Sequence, residues 1–118
     1  MLLKVLRAKI HRATVTEADL DYIGSITIDM DLADSVGIIP GEFVLVADLA
    51  DGARFETYVM PGERGSGTVC VNGAAARLVH VMDRLIIMAY AYVTPEEAKT
   101  LKPSVVLVDD RNRVTRKL

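Results

Sequence analysis

The sequence predicts a mostly β fold, a barrel of short strands with a few short helices. Three observations carry that expectation: apolar residues alternate over many short runs, turn residues separate the runs, and the helical signals are too brief to form a layer. Residues 3–16 begin the pattern with Leu3, Val5, Ala8 and Ile10, and the phase breaks near Leu6. Residues 23–29 alternate around Gly24-Ser25. Residues 42–50 and 53–60 flank Asp51-Gly52, a hairpin signal because glycine tolerates the positive φ of a tight turn. Residues 68–72, 84–93 and 104–108 complete the strands.

The helices are read from their ends. Asp29 is suited to cap a helix that runs to Ser35 and stops at Gly37. Residues 74–79 follow Asn72-Gly73 as a turn or one short helix. Thr94-Pro95-Glu96-Glu97 has a capping threonine, a proline at the first position and a glutamate three residues after the cap, and Pro103 ends that helix. Beyond residue 110, Arg111, Arg113, Arg116 and Lys117 carry no apolar pattern, so a frayed, solvated end is expected.

A chain of 118 residues suits one domain, 1–118, with one core. An apolar content of 51% and a mean hydropathy of +0.28 are high for so small a domain. Such a surplus is expected to bury faces against other subunits. The longest apolar run, residues 85–93, is far shorter than the ~20 residues of a membrane helix, so no membrane partner is expected. A net charge of −2 and a pI of about 5.6 argue against a nucleic-acid partner. The first residues do not read as a signal peptide and Cys70 is the only cysteine, which points to the cytoplasm.

Common catalytic signatures are missing. There is no His-Glu-x-x-His, no Cys-x-x-Cys and no Gly-x-Ser-x-Gly. Residues 61–67 are glycine-rich but lack the Gly-Lys-Ser/Thr ending of a phosphate loop, and they read as a flexible turn. Two histidines, His11 and His80, with one cysteine are poor material for a metal site. Cys70, between Val69 and Val71, reads as core.

What remains is Tyr22-Ile23-Gly24-Ser25. A Gly-Ser pair in a strand by itself marks only a bulge or kink. Here it stands with His11-Arg12, Arg54-Phe55-x-Thr57-Tyr58, Glu63-Arg64-Gly65-Ser66 and Val71-Asn72-Gly73-Ala74-Ala75-Ala76. Together, in this order and spacing, the set resembles the bacterial aspartate 1-decarboxylases over nearly the whole chain. The resemblance implies a double-psi β-barrel and a homotetramer. It also implies cleavage between Gly24 and Ser25, giving chains 1–24 and 25–118, and a pyruvoyl cofactor made from Ser25. The implied activity converts L-aspartate to β-alanine and CO₂ for pantothenate and coenzyme A supply.

Loss of CO₂ from an amino acid leaves an electron pair that no natural side chain can hold. A ketone forms a Schiff base with the substrate amine and takes up those electrons, work that belongs to a cofactor. For processing, the Ser25 hydroxyl attacks the Gly24 carbonyl, and Gly24 is expected to accept a geometry that a Cβ would obstruct. The resemblance gives Thr57 the charge-stabilising role in that step, with Asn72 and Tyr22 in support. It gives Lys9 and Arg54 to the two carboxylates of aspartate and Tyr58 to proton delivery. Thr57, Gly73, Ala74 and Ala75 become substrate contacts, and His11 stays outside the catalytic set. In a regular strand Arg54 and Tyr58 share one face while Thr57 points the other way. Either a bulge or a strand serving two faces would reconcile their roles. Whether processing needs a helper protein is left open by the residues. The competing expectation is an uncut, non-catalytic barrel that binds a partner or acts as a scaffold.

Overall fold

The computed structural model describes residues 1–118. Alternation becomes pleat in nine strands: β1 (Leu3–Thr14), β2 (Glu17–Asp19), β3 (Ser25–Asp29), β4 (Phe43–Asp48), β5 (Arg54–Gly62), β6 (Val69–Asn72), β7 (Arg84–Val93), β8 (Ser104–Val108) and β9 (Val114–Lys117). Two helices, α1 (Met30–Ser35) and α2 (Pro95–Thr100), and a 3-10 helix, Gly73–Leu78, fill the connections. The phase break near Leu6 is a register shift of β1 against β7 between Leu6 and Ala8. The expected caps form as well. Asp29 accepts from Asp31 N, and Thr94 and Glu97 bond reciprocally in a capping box.

The strands follow the order β2-β6-β3-β5-β4-β7-β1-β8-β9. The chain runs from β1 directly into β2, and Thr16 N donates to Val69 O of β6 at 2.9 Å, so the two sides of the sheet meet. Three parallel pairs, β1 with β8, β2 with β6 and β3 with β5, sit among antiparallel ones. The result is the expected mostly β, double-psi barrel. Ile10, Ile26, Ile28, Val46, Val59 and Ile87 fill its interior. No helix is long and apolar enough to cross a membrane.

Two strands escaped the sequence reading. β2 is three residues long, too short to show a period. The tail, expected to fray, instead forms β9 against β8. All four residues of β9 are exposed, so backbone pairing holds the strand with no apolar alternation to betray it. Asn112 anchors the turn before it. Its side chain is 2% exposed, accepts from Thr14 N at 2.7 Å and donates to Thr14 O and Gly67 O. The glycine-rich turn after β5 is likewise pinned, because Gly65 N and Gly67 N both donate to the buried Asp29 carboxylate.

The β4–β5 hairpin carries one costly group. Gly52 takes a φ of 77° in the turn, as expected of Asp51-Gly52. Asp48, at the end of β4, is 1% exposed; its Oδ1 accepts from Ala50 N, while its Oδ2 has no N–H or hydroxyl donor. Oδ2 faces the Asp83 carboxyl, a contact that becomes a hydrogen bond only with a proton between them. Burial first, then Asp83 and the more distant Asp51, push the Asp48 carboxyl up to about 6. The same bond, together with donation from His80 N, holds Asp83 low. A raised folded-state pKa stabilises fully below the unfolded value near 4, and that contribution is lost as pH rises through about 6. Asp48→Asn supplies a permanent donor to Asp83. Melting scans should find the variant more stable than wild type above pH 7, with the gap closing toward pH 4.

Candidate active site

The site grows from the face of β3 and β6 that the core does not use. Ile26 and Ile28 of β3 and Val69 and Val71 of β6 point inward and are fully buried. Ser25, Thr27, Cys70 and Asn72 therefore share the opposite face, and the register pairs Ser25 with Asn72 and Thr27 with Cys70. Asn72 is the hub. Its Nδ2 donates to Ser25 Oγ at 3.0 Å and to Thr27 Oγ1 at 3.1 Å, and its Oδ1 accepts from Cys70 Sγ at 3.1 Å. Ser25 Oγ in turn donates to Ile23 O at 3.3 Å. Ser25 and Asn72 are buried, at 1% and 3% exposure, whereas Ile23 just before them is 76% exposed. A buried hydroxyl thus adjoins an exposed loop.

Gly24 is not the strained glycine that the sequence suggested. A Cβ built on it would meet only Asn72 O, at 3.9 Å, and its φ is not in the left-handed region. The tight position is Gly73, which has a φ of 69°. A Cβ there would lie 2.5 Å from Gly24 Cα and 2.8 Å from Gly24 N. Gly73 is glycine so that the backbone of the 3-10 helix can lie against Gly24, just before the 24–25 peptide. Ala74, exposed, and Ala75, half-buried, follow it on that helix. The Tyr22 ring is half exposed and lines a cleft of about 220 Å³ together with Glu17, Asp19, Thr27, Cys70 and Asn72.

β5 supplies the other side. It pairs in parallel with β3, Ile26 level with Val59, so one residue back along both strands Ser25 comes beside Tyr58. No bulge interrupts the β4–β5 pairing. Thr57 is inward and 8% exposed, while Arg54, Glu56 and Tyr58 alternate outward on the Ser25 face. The strand therefore serves two faces, one toward Ser25 and one toward the interior. Arg54 lies four residues from Tyr58, about 13 Å along the strand, and forms no ion pair.

Lys9 stands apart from these residues. It lies on β1, paired with Met88 of β7, and in strand order β7, β4 and β5 come between β1 and β3. His11, on the same strand, is held below its usual pKa by burial and by Lys9 and Arg12, so it is neutral at pH 7. Cys70 and Thr27 are the members that sequence reasoning missed. Cys70 is buried, as expected, and the alternation Val69-Cys70-Val71-Asn72 is the signal that places it on the face of Asn72.

Gly73→Ala should destabilise the fold by about 1–3 kcal/mol, since both φ and the Gly24 backbone oppose the methyl group. Gly24→Ala should cost less than about 0.5 kcal/mol. Urea unfolding of both variants measures the difference.

Comparison with known proteins adds the lineage. A family model described as Aspartate decarboxylase matches residues 1–115. A protein of Caldicellulosiruptor saccharolyticus named Aspartate 1-decarboxylase is 60% identical over 98% of this chain and 91% of its own length. One of that name from Lactiplantibacillus plantarum is 58% identical over 100% of this chain and 91% of its own. A third, from Porphyromonas gingivalis, is 60% identical over 92% of each chain. By these matches, over a barrel with Ser25 buried beneath an exposed loop, the chain belongs to the aspartate decarboxylase family.

Proposed function

We propose that this chain cuts itself between Gly24 and Ser25 and then, as a pyruvoyl-dependent lyase, converts L-aspartate to β-alanine and CO₂ for pantothenate and coenzyme A biosynthesis. The observation that carries the proposal is the buried Ser25 hydroxyl, held by Asn72 where Gly73 packs on Gly24, in a chain of this family. A non-catalytic barrel would have no use for that arrangement.

Processing follows from these atoms. Ser25 Oγ bonds to the Gly24 carbonyl carbon, the Gly24–Ser25 C–N bond breaks, and the hydroxyl proton ends on the freed Ser25 nitrogen, leaving an ester. The intermediate's oxyanion needs a donor. Thr57, inward on the strand that pairs with β3, has a hydroxyl suited to that role. Loss of the Ser25 α-proton to solvent and of Gly24 as a carboxylate gives dehydroalanine. Water then replaces the nitrogen, ammonia leaves, and a pyruvoyl group caps chain 25–118. The surroundings of Ser25 fit such a group: small backbone neighbours on one side, and one amide donor at the atom that is lost.

When formed, the pyruvoyl group supplies the electron sink for decarboxylation. The chain's own residues bind and protonate. Arg54 holds a substrate carboxylate in a two-pronged pair. Backbone N–H groups of Gly73, Ala74 and Ala75 approach the substrate because no large side chain intervenes, and Thr57 is the remaining substrate contact. Tyr58, level with Ser25, gives its phenolic proton to the carbon that CO₂ leaves.

Lys9, on β1 and outside the Ser25–Asn72 pairing of β3 and β6, takes the second carboxylate in a homotetramer with each site at a subunit boundary. The outer face of β4, β7, β1 and β8 supports that assembly. Leu45, Ile86, Met88 and Leu107 are only half-buried there, and Phe43 is 62% exposed. A cleft of about 230 Å³ opens on this face, where Lys4 lies 4.3 Å over the Tyr90 ring. A second copy of the chain would cover both. The cytoplasm is the proposed compartment.

Ser25→Ala has no oxygen to attack Gly24, so intact mass should show one uncut chain and no β-alanine should form. Two fragments from that variant would refute self-processing. On fully processed protein, Tyr58→Phe should keep KM near wild type and lower kcat by roughly 10²–10⁴-fold, the range for a positioned acid. Near-normal turnover would assign reprotonation to another group.

A further inference from the structure

We propose that Cys70 is a positioning residue for self-processing: its S–H donates to Asn72 Oδ1 and so turns the N–H end of that amide toward Ser25 Oγ. The inference rests on the self-processing reading above and deepens it.

An asparagine amide has a donor end and an acceptor end, and its neighbours decide which way it faces. One neighbour here is indifferent: the Thr27 hydroxyl can accept from an N–H or donate to a carbonyl oxygen. The Ser25 hydroxyl gives its proton to Ile23 O and could serve a reversed amide only by giving up that bond. Cys70 adds a donor on the other side of the amide and so strengthens the same orientation. A thiol donates weakly and accepts more weakly still, and its sulfur lies 3.1 Å from Oδ1. With the amide reversed, Nδ2 would face the thiol and Oδ1 would face Ser25.

The surroundings keep that thiol a donor. Burial, aided by Glu17 and Asp19 on the neighbouring β2, pushes its pKa up to about 11, so the proton stays on sulfur at any working pH. The register brings the two carboxylates there, pairing Glu17 with Cys70 and Asp19 with Asn72. Acidic groups beside a buried thiol suppress its reactivity, which suits a hydrogen-bond donor and not a nucleophile.

The direction of the amide matters at one step above all. In the elimination, the Ser25 Cβ–Oγ bond breaks and Oγ departs as part of the Gly24 carboxylate, gathering negative charge. An N–H aimed at Oγ stabilises that charge as it develops, whereas a carbonyl oxygen there would repel it. Cys70 should therefore speed conversion of the ester to dehydroalanine more than formation of the ester.

The test follows freshly purified full-length precursor by intact mass, comparing wild type, Cys70→Ala and Cys70→Ser. Hydroxylamine, added to parallel samples, attacks the ester carbonyl and releases chain 25–118 with an intact serine terminus; it also turns the pyruvoyl ketone into an oxime with loss of water, and high-resolution mass tells that chain from the serine one. Cys70→Ala should form the pyruvoyl chain roughly three- to tenfold more slowly, the cost of one neutral hydrogen bond, with a larger hydroxylamine-released fraction. Cys70→Ser keeps a donor and should process within about threefold of wild type. If Cys70→Ala does not fold, Cys70→Val, of similar volume without a donor, takes its place. A donorless variant that processes at the wild-type rate overturns the inference, and so do Ala and Ser variants that are slowed alike, which would mark packing as the cause. A wild-type chain that never cleaves overturns the self-processing reading itself, and this inference with it.

Discussion

Successive side chains of a pleated strand point to opposite faces, and that two-residue period assigns every group of the site. In β6, Val69 and Val71 enter the core and leave Cys70 and Asn72 on the outside; in β3, Ile26 and Ile28 do the same for Ser25 and Thr27. In β5 the period separates neighbours: Tyr58 lies on the outer face beside Ser25 while Thr57 points inward. A one-residue slip in any of these strands would exchange polar groups for core residues. The same burial that stabilises the barrel therefore fixes the site's geometry.

Most of the architecture was legible because its signals are local. Asp51-Gly52 gave the hairpin, Thr94 through Glu97 gave the capping box, and the phase break near Leu6 gave a bulge. The parts that stayed hidden have no local pattern. β9 is exposed along its whole length, and its anchor, Asn112, bonds to Thr14 across 98 residues of sequence. Gly73 read as an ordinary turn glycine. Only the fold shows that the space its Cβ would fill belongs to the Gly24 backbone. The expectation of strain at 24–25 had the right neighbourhood and the wrong glycine.

The candidate residues came as a set from family resemblance, whereas their placement required the structure. Ser25 and Asn72 meet across β3 and β6, Tyr58 and, further along β5, Arg54 lie on the same face, and Lys9 stands on β1, with β7, β4 and β5 between it and β3 in strand order. Cys70 was legible in principle. Its alternation with Val69 and Val71 placed it beside Asn72, but a lone cysteine flanked by valines reads first as core.

The position of β1 bears on the order of events in the life of the chain. β1 lies inside the sheet, bonded to β7 on one side and β8 on the other, and it precedes the Gly24–Ser25 bond. If the chain cuts itself there, as proposed, the segment holding β1 is a separate peptide woven into a barrel built from the other. The pieces stay together through backbone pairing and core side chains such as Ile10, without a covalent tie. Folding must then precede the cut, because joining two pieces afterwards is a bimolecular encounter with an entropy cost that the single chain avoids. Unfolding of the processed form becomes a dissociation, and its recovery depends on concentration. A precursor that cuts itself only after its strands are in register avoids that encounter altogether.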